Sequence, residues 1–190
     1  AHAQRNHDVA FAHHLISYRL YKEIHELPGQ ALILANFAMV SYSQKDTLRA
    51  KEFCDESFAI ATHIGYKALL PIILNVLGKL AAEVGDFRLA RQHFHQGYAT
   101  AMALETFPDG IDMIPGIAST LLHGKDIPGA SQLLGLVLAH SASKYSTKND
   151  ALSLLQMIET ISPALPLQGS IERGGELELS SLIQDFPEFS

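Results

Sequence analysis

Four alanines, Ala10, Ala50, Ala90 and Ala130, stand forty residues apart along the chain. A fixed period of this length marks an array of like units, each too small to bury its own apolar face and each dependent on its neighbours. Four residues before each alanine stands Asn6, Asp46, Asp86 or Asp126, a side chain suited to cap the helix that follows. Eight residues beyond each alanine come the bulky Tyr18, Phe58, Tyr98 and Leu138, and twelve before the last three come the small Ala38, Gly78 and Ala118. Phe37, Leu77 and Ile117 directly precede those small residues, with Leu34, Leu74 and Ile114 three further back.

Inside a unit the apolar spacing is helical. Leu70, Ile73, Leu74, Leu77, Leu80, Ala81 and Val84 follow the i, i+3, i+4, i+7 rule, and strand alternation is absent. Short turns at Val84-Gly85-Asp86 and Gly124-Lys125-Asp126 then start a second helix, so each unit reads as an antiparallel helical hairpin. Helices cross closely where one presents Ala or Gly, which pairs Gly78 with Ala90 and Ala38 with Ala50 in this reading. The expected elements are a lone helix at 8–26, paired helices at 29–43 and 47–64, 68–84 and 87–105, and 110–123 and 127–143, and a further first helix at 148–161. Thr147 and Asp150 are placed for a capping box at that helix start. Ser162-Pro163-Ala164-Leu165-Pro166 and Gly174-Gly175 then break the pattern before a short terminal helix, Leu179 to Phe186.

These columns resemble the tetratricopeptide repeat: large-then-small in the first helix (Phe37-Ala38, Leu77-Gly78, Ile117-Ala118), an Asp-capped turn, and alanine early in the second helix. The likeness covers residues 6 to about 145, with a period longer than the roughly 34 residues of that family. The family's mid-helix aromatic is present as Phe94, with Cys54 and Leu134 in the other units, and its later alanine is replaced by Ser57, Gly97 and Val137. The resemblance implies an all-α fold, a right-handed α–α superhelix of antiparallel hairpins with a period of about forty residues. Its expected division is a half unit at 1–27, repeats at 28–66, 67–106 and 107–147, and a degenerate C-terminal cap at 148–190. The stretch Ala130 to Leu138 with Ser141-Ala142-Ser143, followed by Gly174 to Ile183, is similar to the C-terminal end of repeat regions in large bacterial signal-transduction ATPases and related transcriptional activators.

Little in the chain suggests chemistry. Its ten histidines include His13-His14 and His93-Phe94-His95, but no two have the i, i+3 or i, i+4 spacing that brings ligands together on a helix, so no metal is expected. Cys54 fills a core column, without a paired base to make it a nucleophile. No phosphate-cradling glycine loop ending in Lys-Ser/Thr occurs. The carboxylate pairs Glu23 with Glu26 and Asp109 with Asp112 read as solvated helix faces. No catalytic residue, cofactor or enzymatic activity is therefore expected.

With 14 Lys and Arg against 20 Asp and Glu, the formal charge of −6 argues against direct nucleic-acid binding. No run reaches the roughly 18 apolar residues of a membrane span, the N-terminus lacks a signal-peptide apolar region, and the lone cysteine asks for no oxidising compartment. A cytoplasmic setting without membrane contact is the expectation. The chain lacks an initiator methionine and opens inside a repeat unit, which suggests a piece of a longer protein.

In the resembled family the first helix of each pair lines a concave groove. Carried over by register, that gives Leu32, Ala35, Met39 and Tyr42, then Ile72, Asn75, Lys79 and Ala82, then Asp112, Pro115, Ser119 and Leu122. The expected binding residues are Met39, Tyr42, Asn75, Lys79, Asp112 and Ser119. The implied role is a non-catalytic sensor or interaction domain of a bacterial signalling or transcription-regulatory protein, taking a protein or peptide partner, a small-molecule inducer, or other domains of its own longer chain. The alternative is a constitutive assembly scaffold with no switching role.

Overall fold

In a computed structural model, residues 14–163, 166–179 and 182 are described. Asn6, Ala10, His13 and most of the expected helix from Leu179 to Phe186 lie outside them. Among the described residues every regular element is helical. A first helix, α1, covers 14–23. It is followed by α2 (Leu27–Ser43), α3 (Thr47–His63), a 3-10 turn (Lys67–Leu69), α4 (Leu70–Glu83), α5 (Phe87–Ala103), α6 (Phe107–Ile111), α7 (Ile114–His123), α8 (Ile127–Ala139), α9 (Tyr145–Ile161) and α10 (Gln168–Gly175).

The hairpins are α2/α3, α4/α5 and α7/α8, and each second helix also packs on the first helix of the next pair. The columns explain this packing. Ala38, Ala50, Ala90, Ala118 and Ala130 are fully buried, and Cys54, Phe94 and Leu134 occupy the same core position in successive units. At Gly78 the nearest neighbour is Phe94. A Cβ at Gly78 would lie 2.6 Å from the ring of Phe94, and one at Gly116 would fall on the same ring, so the phenyl group is wedged where α4 and α7 both lack a side chain. The small column thus accommodates the large residue four positions beyond the alanine.

The turns reveal a shorter backbone period than the side chains do. His25, Lys45, Gly65, Gly85, Glu105 and Lys125, spaced by twenty, all have positive φ between 54° and 82°. At each turn the following residue donates its N–H to the carbonyl five back, at 2.8–3.0 Å, and the positive-φ residue donates to the carbonyl three back, at 3.0–3.3 Å. Two otherwise orphaned helix carbonyls are satisfied each time. Asp46, Asp86 and Asp126 then cap α3, α5 and α8 by accepting from Arg49, Leu89 and Gly129 N–H at 3.2, 3.0 and 2.9 Å. Helix plus turn therefore takes twenty residues, and side-chain identity alternates over forty.

Four of the six left-handed positions carry residues with a Cβ, which disfavours that conformation. Glu105→Gly and Lys125→Gly are each expected to raise stability by about 1 kcal/mol, and Gly85→Ala to lower it by about as much. Urea midpoints for the three variants check the signs, and a Gly85→Ala protein as stable as the parent would be inconsistent with this turn.

Three expectations need correction. The helix expected at 110–123 is two, α6 and α7, because Pro115 has no N–H to offer the carbonyl of Ile111 and the chain bends at Asp112 and Met113. No capping box starts α9: its N-cap is Lys144, without a side-chain cap, and Thr147 instead donates its hydroxyl to Asp112 Oδ1. The helix expected at 127–143 stops at Ala139, where His140 turns extended.

Candidate functional site

The first helices form a shared face, and between them lies a cavity of about 330 Å³. Asn36, Met39 and Tyr42 reach it from α2, Ile72, Asn75 and Lys79 from α4, Asp109 from α6, and Asp112, Met113 and Lys144 from the segments flanking α7 and α9. Residues three or four apart on one helix project together, which is why Met39 with Tyr42, and Asn75 with Lys79, arrive as pairs. Of the six residues expected at the groove, Met39, Tyr42, Asn75, Lys79 and Asp112 surround this cavity. Ser119 does not line it; its hydroxyl donates back to the Gly116 carbonyl at 2.9 Å within α7. Ala35 and Pro115, assigned to the groove by register, are buried in the packing between helices.

The polar groups are unevenly satisfied. Lys144 Nζ donates to Asp112 Oδ2 at 2.5 Å and to Asp109 Oδ1 at 3.2 Å. Burial alone would lower the lysine's pKa, but its hydrogen bonds and charge contacts to Asp112 and Asp109 outweigh that and raise it. The Asp109 and Asp112 pair thus shares one lysine, which anchors the start of α9. Lys79 is more loosely engaged, 3.6 Å from Asp150 Oδ2. Tyr42 is half-buried; desolvation first, and then its hydrogen bond to Glu83, push its pKa above the ordinary phenol value, so it remains a hydroxyl at neutral pH. Lys45 lies 3.5 Å from Glu83 and 5.5 Å from the Tyr42 ring centroid.

Asn75 sits at the centre. Its Nδ2 donates to the Asp112 carbonyl at 3.3 Å, while its Oδ1 is buried with no hydrogen-bond partner among the described residues. A buried acceptor left unpaired costs on the order of 1–3 kcal/mol. The residue lies on the cavity wall, although Oδ1 itself is closed to solvent. Sequence reasoning misses Asn36, Asp109, Lys144 and Asp150 in this role: Lys144 and Asp109 lie outside the first-helix register, and Asp150 reads there as part of a cap.

No family model, curated protein or solved structure matches the chain. Among the described residues no group of three or more His, Cys, Asp or Glu is placed to hold a metal ion, and no helix is long and apolar enough to cross a membrane. Cys54 is buried, and desolvation first, with Asp55 beside it, pushes its thiol up to about 12, far from the thiolate a nucleophile needs.

Proposed function

We propose that the chain is a non-catalytic binding domain of the tetratricopeptide type, a right-handed superhelix of hairpins whose concave face takes a peptide segment or small polar ligand on behalf of a larger regulatory protein. The observation that carries this reading is the cavity wall on which Asn75, whose buried Oδ1 has no partner among the described residues, stands with Lys79, Tyr42 and Met39. An occupant with an N–H or O–H group would satisfy the carboxamide oxygen. A carboxylate or other acceptor on it would draw Lys79 from its 3.6 Å contact with Asp150. Met39 and the Tyr42 ring supply apolar contact beside these polar groups.

A thermal-shift screen of the chain against short peptides and polar metabolites tests the proposal. Asn75→Ala and Lys79→Ala are expected to weaken a true ligand by about tenfold or more, since a charge-assisted contact contributes roughly 1.5–3 kcal/mol. Arg88→Ala, on the outer face of α5, should leave it unchanged. Loss of affinity in Arg88→Ala with none in the two groove variants would place the site elsewhere.

One observation favours the alternative, a constitutive assembly scaffold with no switching role: Asp109 and Asp112 are already tied to Lys144 within the chain. A constitutive scaffold would bind a protein partner and yield no small ligand whose affinity depends on Asn75.

A further inference from the structure

On the second-helix side, the forty-residue register places one inter-hairpin groove at two successive positions. Between α3 and α5 it is an opening of about 620 Å³ with a wall of Leu48, Phe58, Leu77, Val84 and Leu89. Leu48 and Val84 are 70% and 81% exposed, large apolar side chains with no cover. Forty residues on, Thr47, Leu48, Lys51 and Glu83 are replaced by Phe87, Arg88, Arg91 and His123, which line the outer part of the corresponding groove, and Phe58 is replaced by Tyr98.

The chain itself reaches that second groove at Tyr98. Packed against α8, α10 leads into a segment whose Leu179 carbonyl accepts the buried Tyr98 hydroxyl, and Leu179 and Leu182 both join the core. We propose that the uncovered groove between α3 and α5 docks a leucine-bearing polypeptide segment of another molecule, with two leucine-type side chains three residues apart as in Leu179 and Leu182.

The differences between the grooves fit a guest from outside. Phe58 lacks the hydroxyl by which Tyr98 holds the Leu179 carbonyl, so the open groove does not offer that bond. His93 takes the place of Leu133 and lines the groove, its Nδ1 buried and without a partner among the described residues. Desolvation first, then Lys51, lowers the His93 pKa, which favours the uncharged ring beside an apolar guest. Apolar side chains give the guest its affinity.

The probe is a fluorescent peptide with the sequence of residues 174–183, titrated into the full chain and followed by anisotropy. Saturable binding is expected, with loss when the peptide carries Leu179→Ser and Leu182→Ser. The doubly substituted chain Leu48→Glu, Val84→Glu should bind about tenfold more weakly or worse, because a charge would be buried under the guest. Both positions are exposed, so its melting temperature should stay unchanged. Absence of saturable binding overturns the proposal. So does binding indifferent to Leu48 and Val84, which would mean that the peptide displaces the chain's own segment at Tyr98 or attaches elsewhere. Binding of small apolar dyes at Leu48 and Val84 without peptide binding would identify a small-molecule pocket and overturn it equally.

Discussion

Phe94→Ala is expected to lower the stability of the chain by about 3–5 kcal/mol, the range for deleting a buried phenyl ring. The ring is 1% exposed and lies on two glycines, Gly78 of α4 and Gly116 of α7. Neither has a side chain that could swing into the vacated space, so collapse would require whole helices to move, and the loss belongs near the upper end of the range. Gly78→Ala should be destabilising for the opposite reason, since its methyl group would meet the ring at 2.6 Å. The effect reaches the groove because Asn75 and Lys79 flank Gly78 on the same helix. Chemical denaturation with an unchanged m-value measures the loss. A deficit under about 1 kcal/mol for Phe94→Ala would show that the ring is not the wedge between α4 and α7.

The hairpins are legible in the sequence because each column carries one kind of side chain: Ala50, Ala90 and Ala130 are all fully buried, and Asp46, Asp86 and Asp126 all cap. The twenty-residue turn period is not, because its signal is usually glycine, and here Lys45, Glu105 and Lys125 adopt the left-handed conformation in exposed turns. Pro115 gives a visible warning of the break between α6 and α7, yet counting the helical register through it places Pro115 and Ser119 on the groove. Neither residue lines the cavity, and nor does the buried Ala35 on the unbroken α2, whereas Met39, Tyr42, Asn75 and Lys79 do. Lys144 is invisible to register, since its partners Asp109 and Asp112 are 35 and 32 residues away in sequence. Glycines at 174 and 175 read as a break, and they do end α10, but the close approach that Gly174 permits depends on a partner helix no local pattern names.

Gly135→Val should destabilise by about 3 kcal/mol or more, at or beyond the upper end of ordinary overpacking. Any Cβ at Gly135 falls on the carbonyl oxygen of Ile171 in α10, and the reciprocal contact sets Gly174 on the carbonyl oxygen of Gln132 in α8. Both obstacles are backbone, so no rotamer change relieves them, and α10 has to lift away. Undocking sets the ceiling: Leu167, Leu179 and Leu182 would return to water at about 1.5–3 kcal/mol for each fully buried side chain, and the Tyr98 hydroxyl would lose its carbonyl. Gly169→Ala is the control, because its methyl meets nothing nearer than Arg173 at 3.6 Å and alanine is the better helix former by about 1 kcal/mol. Trypsin cleavage after Arg173, followed by mass spectrometry, separates local from global loss: Gly135→Val should be cut there well below its melting transition, and Gly169→Ala should not. An undocked α10 would also uncover the groove at Tyr98, giving the leucine peptide a second binding site in the Gly135→Val chain. Parental stability and parental resistance at Arg173 in that variant would show that α8 and α10 do not cross at these glycines.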